Sequence, residues 1–239
     1  MHVHTVLSPC GGLDMSPSKI IDHAVREKID ILAITDHNST KHCGLAQELG
    51  KRKGITVLAG AELNTMEEIH CLAIFENIDK AGIFQQFIDR NLNVVNNKPD
   101  LFGYQVIVDE DEQILAEEDR LLVASLKVSV HETEKMVHDL GGIFIPAHIN
   151  RPYNSIYSQL GFLPSELKAD ALEISRNANY EMFIREHPEL SGYKLITNSD
   201  AHHGEQIGRN TTDYYLKQPE FEEIAMALKD INGRKVKTI

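Results

Sequence analysis

Short apolar runs alternate with amphipathic segments along most of the chain's 239 residues. Ser16 caps and Pro17 opens a helix whose apolar stripe is Ile20, Ile21, Ala24 and Val25. The run IDILAIT (29–35) predicts a buried strand that leads into Asp36, His37 and Asn38. Ser39 or Thr40 then caps a helix through Leu49, closed by Gly50 and Gly54. ITVLAGAEL (55–63) and IHCLAIF (69–75) predict two further strands, the first with Glu62 near its end and the second with His70 near its start. A helix is expected over 77–92.

Segment 93–125 has the weakest pattern. Its YQVIVDEDEQIL stretch predicts a strand, an acidic turn and a second strand. Ser129 and Glu132 form a capping box for a helix that stops at Gly141 and Gly142. GGIFIPAHINRP gives a strand ending at His148. ADALEIS (169–175), a helix from about Asn177, YKLITNSDAHH (193–203) and a helix over 219–230 complete the chain. About seven such strands alternating with helices predict a parallel α/β fold. No glycine-rich GxGxxG turn is present, so a closed or nearly closed barrel is expected rather than a dinucleotide-binding sheet. Without internal repeats or linkers, residues 1–239 are expected to form one domain.

Composition narrows the function classes. An apolar fraction of 42% suffices for a sizeable core, and no stretch is long and apolar enough to span a membrane. No basic segment followed by an apolar run suggests a signal peptide. The three cysteines, Cys10, Cys43 and Cys71, lack framework spacing, which suits a reducing cytoplasm. A formal charge of −12 with no basic groove predicts no affinity for duplex nucleic acid.

The polar residues at the strand ends carry the candidate chemistry. Val3, Thr5, Val6 and Leu7 favour an extended chain, so His2 and His4 project to one face and can share a cation. Asp36, His37, Glu62, His148, Asp200 and His202 fall at carboxyl ends of apolar runs, where α/β barrels build their active sites. His70 falls at the start of its run. A charged or imidazole group beside a buried strand is costly unless paired or metal-bound, and so many together point to a metal centre. His23, His131, His138 and His187 are expected on solvated faces or loops. His42, in the first turn of a helix just after Asp36 and His37, is ambiguous.

HVHT, ITDHN, GAE, PAH and NSDAHH, in this order, resemble the motifs of the PHP (polymerase and histidinol phosphatase) family of metal-dependent phosphoesterases. The resemblance implies a distorted (β/α)7 barrel with two or three divalent ions (Zn, Mn or Fe) at the carboxyl ends of the strands. It implies a first ion held by His2, His4, Glu62 and Asp200. A second would share Glu62 and add His70 and His148, and a third would use His37 and His202. Family members often place a histidine or aspartate five or six residues after the HxH pair, where this chain has Pro9 and Cys10. The family also has several residues before HxH. Here only Met1 precedes it, so the first strand is very short or the natural start lies upstream.

Glu62 and Asp200 are the expected catalytic carboxylates, holding metals that bind a bridging hydroxide for attack on phosphorus. Arg151 and Arg176, just beyond strand ends, are the expected phosphate contacts, with Arg209 a weaker one. His203 is a candidate to protonate the leaving group, but a strand-like segment would point it away. The acidic composition and the lack of tryptophan favour a small phosphorylated substrate, such as a phosphomonoester or cyclic phosphodiester. The alternatives are a nuclease acting on short single strands and a non-catalytic metal-binding module.

Overall fold

The computed structural model describes residues 1–175 and 180–237. In chain order the elements are α1 (Pro17–Arg26), β1 (Ile31–Ile34), α2 (Cys43–Lys53), β2 (Thr56–Asn64), β3 (His70–Phe75), α3 (Ile78–Asn91), α4 (Pro99–Phe102) and β4 (Val106–Val108). They continue with β5 (Ile114–Glu117), α5 (Val130–Asp139), β6 (Ile143–Pro146), α6 (Ile156–Leu160), β7 (Leu172–Glu173), α7 (Tyr180–Glu186), β8 (Leu195–Ile196), β9 (Tyr214–Tyr215), α8 (Phe221–Leu228) and β10 (Lys235–Val236). No described helix is long and apolar enough to cross a membrane.

The local signals explain the helices. Ser16 caps α1 through the Lys19 N–H, and Ser129 with Glu132 forms the capping box of α5. Gly54 closes α2 in a left-handed conformation. In α1 the buried stripe is Ile20, Ile21 and Ala24, whereas Val25 is exposed. The 104–115 stretch forms the β4–β5 antiparallel pair around an acidic turn.

The fold is α/β, but its main sheet is mixed rather than wholly parallel. Its order is β1-β2-β3-β6, with β1 parallel to β2, and β3 antiparallel to both β2 and β6. Five residues (65–69) join β2 to β3. A parallel crossover needs about a dozen or more, so the connection must be a hairpin. Among the described residues the strands do not close into a continuous hydrogen-bonded barrel; β7 and β8 pair separately, in parallel.

Alternation along the strands separates two cores. Val57, Ala59, Ala61 and Leu63 of β2 pack with Ile20, Ile21 and Ala46 of the helices. Leu58, Leu72, Ile74, Ile143, Ile145 and Ile196 point the other way, into a second cluster with Ile224, Ala227 and Leu228 of α8. Glu62 shares the Leu58 face of β2, and His70 shares the Leu72 face of β3. Both therefore stand at one end of this inner apolar cluster. Gly60 is required here, since a Cβ would lie 2.7 Å from the Ala73 carbonyl oxygen.

Candidate metal centre

The hairpin explains why His70 reaches the site from the start of its strand. Because β3 runs against β2, its first residue pairs with Asn64 and lies beside Glu62. His148 follows β6 at the same end. His37 bridges to Glu62 just beyond β1. His2 and His4 arrive on a short extended segment: Val3 bridges to Ala201, and the Thr35 N–H donates to the Val3 carbonyl at 2.9 Å. His148 and Asp200 adopt left-handed backbone conformations, with φ of 31° and 49°. Such conformations cost about 1–3 kcal/mol in a non-glycine residue and cluster at functional sites.

Glu62 is buried at the centre of five imidazoles. Its Oε1 lies 3.2 Å from His2 Nε2, 3.0 Å from His70 Nδ1 and 3.1 Å from His148 Nε2. Its Oε2 lies 3.3 Å from His4 Nε2 and 3.1 Å from His37 Nδ1. Asp200 Oδ1 is 3.2 Å from both His2 Nε2 and His4 Nε2 and 3.3 Å from His202 Nε2. Its Oδ2 takes the Arg151 guanidinium at 2.6 Å.

This donor set fits divalent cations. Ligand bonds of about 2.1 Å place neighbouring donor atoms about 3.0–3.4 Å apart around a six- or four-coordinate ion, which is the spacing seen here. His37 Nδ1 is buried beside Glu62 yet has no hydrogen-bond partner, and His148 Nδ1 and His202 Nδ1 are likewise unpaired. Three groups of donors lie close enough to hold an ion: His2, His4 and Glu62; His37, Glu62 and His70; and His4, Cys10 and His202. The structure thus sets His37 with Glu62 and His70, and gathers Cys10 with His202.

Burial pushes His37, His148 and His202 down, which favours the neutral ring that binds metal. Burial alone would also lower His2 and His4. Asp200, Glu173 and Glu62 outweigh it and hold His2 well above its usual value, and hydrogen bonds to Asp200 and Glu62 raise His4 to about 9. Glu62 and Asp200 are held well below the carboxylate range despite burial, chiefly by His70 and His2 respectively. With no cation bound, the neighbouring carboxylates favour a proton on His2 and on His4.

Two buried carboxylates stand beside the ring cluster: Glu173, which was not expected there from the sequence, and Asp36, which was. Glu173 accepts from His2 Nδ1 at 3.0 Å, from Asn198 Nδ2 at 2.7 Å and from the His148 N–H at 2.9 Å. Its sequence signal was its place at the carboxyl end of ADALEIS, the same signal that marked Glu62. Asp36, expected among the ligand-type residues, instead takes the Thr5 and Ser8 hydroxyls and the Thr5 N–H. His42 joins that network through Thr5, away from the ring cluster.

Arg151 stands at the mouth, bound to Asp200, while Arg176 lies outside the described residues. Arg209 pairs with Glu205, and exposed His203 faces Asp14. His131 is half-exposed and faces Glu134 and Glu166. His138 is half-buried rather than on a solvated face, clamped between Glu134 and Asp170.

The fold and this cluster define an α/β protein with a candidate metal centre at its strand ends. The family model of the PHP domain matches residues 1–231, and the chain belongs to that family. The protein YqxK of Bacillus subtilis is 37% identical over 108 residues, 43% of this chain and 28% of YqxK.

The structure is similar to that of the lesion-specific endonuclease EndoQ of Pyrococcus furiosus, with a TM-score of 0.71 at 19% identity over 99% of this chain and 56% of EndoQ. It is also similar, with a TM-score of 0.59 at 17% identity, to a candidate metal-dependent phosphoesterase from Bifidobacterium adolescentis; that match covers 93% of this chain and 92% of the other. The chain thus spans little more than half of EndoQ and under a third of YqxK.

A second EndoQ structure (TM-score 0.71, 19% identity, 98% of this chain and 57% of EndoQ) holds a 27-mer duplex substrate with an abasic lesion at its active site. That finding overturns the expected small phosphorylated substrate and the exclusion of duplex nucleic acid. The charge argument failed because net charge averages over the whole surface. The local field at a metal centre is set by the ions themselves, each bringing two positive charges.

Proposed function

We propose that this chain is a metal-dependent phosphodiesterase acting on nucleic acid, with two or three divalent ions (zinc, manganese or iron) held by His2, His4, His37, Glu62, His70, His148, Asp200 and His202. The observation that carries this reading is the buried Glu62 carboxylate, with one oxygen toward three imidazoles and the other toward two more. A carboxylate so placed would serve as a shared ligand if two ions were bound. Bound cations would supply neutralisation of the phosphoryl oxygens and a lowered pKa for attacking water.

The chain's own residues do the rest. Asp200 turns Oδ1 to the ring cluster and holds Arg151 on Oδ2, so the guanidinium stays at the mouth with donors left over for a phosphate. Glu173 fixes the rotation of His2. Within this reading Cys10 is a donor beside His4 and His202. The segments at 2–4, β1, β2, β3, β6, β7 and β8 act as the staves of a distorted (β/α)7 barrel in a single domain. Backbone bonds from Thr35 to Val3, Ile149 to Glu173 and His4 to Ala201 support that arrangement.

The substrate class is drawn from the EndoQ complex, so duplexes carrying a base-less site come first in the test. The purified chain is incubated with Zn²⁺, Mn²⁺ or Fe²⁺ and labelled 27-mers: intact duplex, duplex with an abasic site, and single strand. Cleavage of the damaged duplex, lost in Glu62→Gln and in chelator, is expected. Intact oligonucleotides under every metal, with the metals bound, would refute the nuclease reading.

A further inference from the structure

We propose that Asp36 is a positioning residue: through Ser8 it fixes His4 as the Nδ1–H tautomer that presents Nε2 to the metal centre, and through Thr5 and His42 it ties the same segment to the backbone of Val108. The His4 half rests on reading His4 as a metal ligand; the His42 half does not.

The argument is one of donors and acceptors. The Asp36 carboxylate is fully buried and can only accept. Its Oδ1 receives the Thr5 N–H at 2.7 Å and the Ser8 hydroxyl at 2.6 Å, and its Oδ2 receives the Thr5 hydroxyl at 2.8 Å. Each hydroxyl has one proton, and both protons are now committed. The two hydroxyl oxygens can therefore only accept from everything else that touches them.

For Ser8, those neighbours are the His37 N–H and His4 Nδ1, both at 3.1 Å. His4 Nδ1 must carry the proton, which leaves Nε2 as the nitrogen that faces Glu62 and Asp200. For Thr5, the neighbours are the Leu7 N–H at 3.1 Å and His42 Nδ1 at 2.6 Å. His42 Nδ1 must donate, and His42 Nε2 is then free to accept the Val108 N–H at 3.0 Å.

The chain of inference closes on itself. The Val108 N–H cannot reverse, which fixes the His42 arm, and the 2.6 Å approach of the Ser8 oxygen to the Asp36 carboxylate requires a proton between them, which fixes the His4 arm. The second arm has a place in the site's architecture as well. It holds β4, which follows the turn where Gly103 packs on the Pro9 carbonyl, next to Cys10. One buried carboxylate thus orients a ring in the metal centre and anchors the strand beside its mouth.

The arms come apart in variants. Ser8→Ala cuts only the His4 arm, and Ser8→Thr restores a hydroxyl. Asp36→Asn has the opposite effect. The Thr5 N–H requires the amide oxygen on its side, next to Ser8, so the amide nitrogen faces the Thr5 hydroxyl and forces it to donate to His42. His42 would then carry its proton on Nε2, against the Val108 N–H.

The experiment uses the full chain with zinc and ¹⁵N-labelled histidine. Long-range ¹H–¹⁵N correlations read each ring's tautomer, chelator competition reads zinc affinity, and hydrogen exchange reads the Val108 amide. Expected are Nδ1–H tautomers at His4 and His42 in the wild type, and His42 in that form with or without zinc. Zinc affinity should fall about 10- to 100-fold in Ser8→Ala, the usual effect of losing a partner behind a metal-bound histidine, and recover in Ser8→Thr. In Asp36→Asn, faster Val108 exchange and a smaller loss of zinc affinity are expected. A wild type that takes up no zinc overturns the metal reading and the His4 arm with it. Zinc bound with His4 coordinating through Nδ1, or full affinity in Ser8→Ala, overturns the relay and leaves the metal reading standing. An Nε2–H tautomer at His42 overturns it without any variant.

Discussion

Replacing Glu173 with leucine tests how much of the fold depends on a carboxylate that no ion needs to touch. Leucine is similar in size, so the change removes acceptors with little change in volume. Three donors lose their partner: His2 Nδ1, Asn198 Nδ2 and the His148 N–H. All belong to buried residues. Leaving a buried donor unsatisfied costs about 1–3 kcal/mol, so the sum over three is about 3–9 kcal/mol, a large part of a typical domain's stability of about 5–15 kcal/mol. Glu173→Gln should cost less. The His148 N–H holds the amide oxygen on its own side, where His2 Nδ1 also reaches it, so the amide nitrogen meets the Asn198 Nδ2 donor and only that bond and the charge opposite His2 are lost. Urea unfolding in chelator reads the fold alone, and zinc competition then reads the centre, where a loss of about 10- to 100-fold is expected for the glutamine variant. A leucine variant within 1 kcal/mol of wild type, at unchanged m-value, would show that Glu173 is not the acceptor on which these three donors depend.

Glu62→Gln should lower metal content at both neighbouring positions together, measured by elemental analysis after gel filtration, whereas His148→Ala should spare the ion at His2 and His4. Retention of full metal content in Glu62→Gln would remove Glu62 from the shared position. Arg151→Ala should keep its metals and lose about 1.5–3 kcal/mol of kcat/KM on a cleaved oligonucleotide; unchanged kinetics would assign the phosphate elsewhere. The His138 clamp gives a pH signature. The hydrogen bond to Asp170 raises His138, so its share of stability is present below the ordinary value of about 6.5 and is lost as pH rises through the raised one. Asp170 is held low by His138 despite burial, so its share is lost as pH falls below about 4. The destabilisation by His138→Gln, about 1 kcal/mol for so partly exposed a pair, should be largest between those limits in pH-dependent urea melts and fade above them.

Most elements were legible because their signals are local. Ser16, Ser129 and Gly54 end helices by bonds within a few residues. Strand direction was misread, since the alternation of strands and helices predicted a parallel sheet; five residues between Asn64 and His70 forbid a crossover, and the resulting hairpin brings His70 to the site. The ring cluster could be read from residue types at strand ends. Its wiring could not, because Thr5, Ser8 and Glu173 are common residues whose importance lies in partners remote along the chain. His138 was misjudged for the same reason: its partner Asp170 is 32 positions away. The substrate class was misjudged because summed charge says nothing about where the charges stand.

The short β2–β3 turn has a consequence for assembly order. Glu62 and His70 are eight residues apart and meet as soon as one hairpin closes, whereas His2 and Asp200 meet only when the chain's first strand returns to residues near position 200. Closing a hairpin takes microseconds, and long loops close later and against greater entropy. A nascent chain therefore brings together two of its eight proposed cation-binding groups, Glu62 and His70, long before the rest arrive. An ion captured early by the hairpin would be held loosely and exchange freely. Tight retention would be the signature of a completed fold, making metal exchange rate a direct clock for the last step of folding.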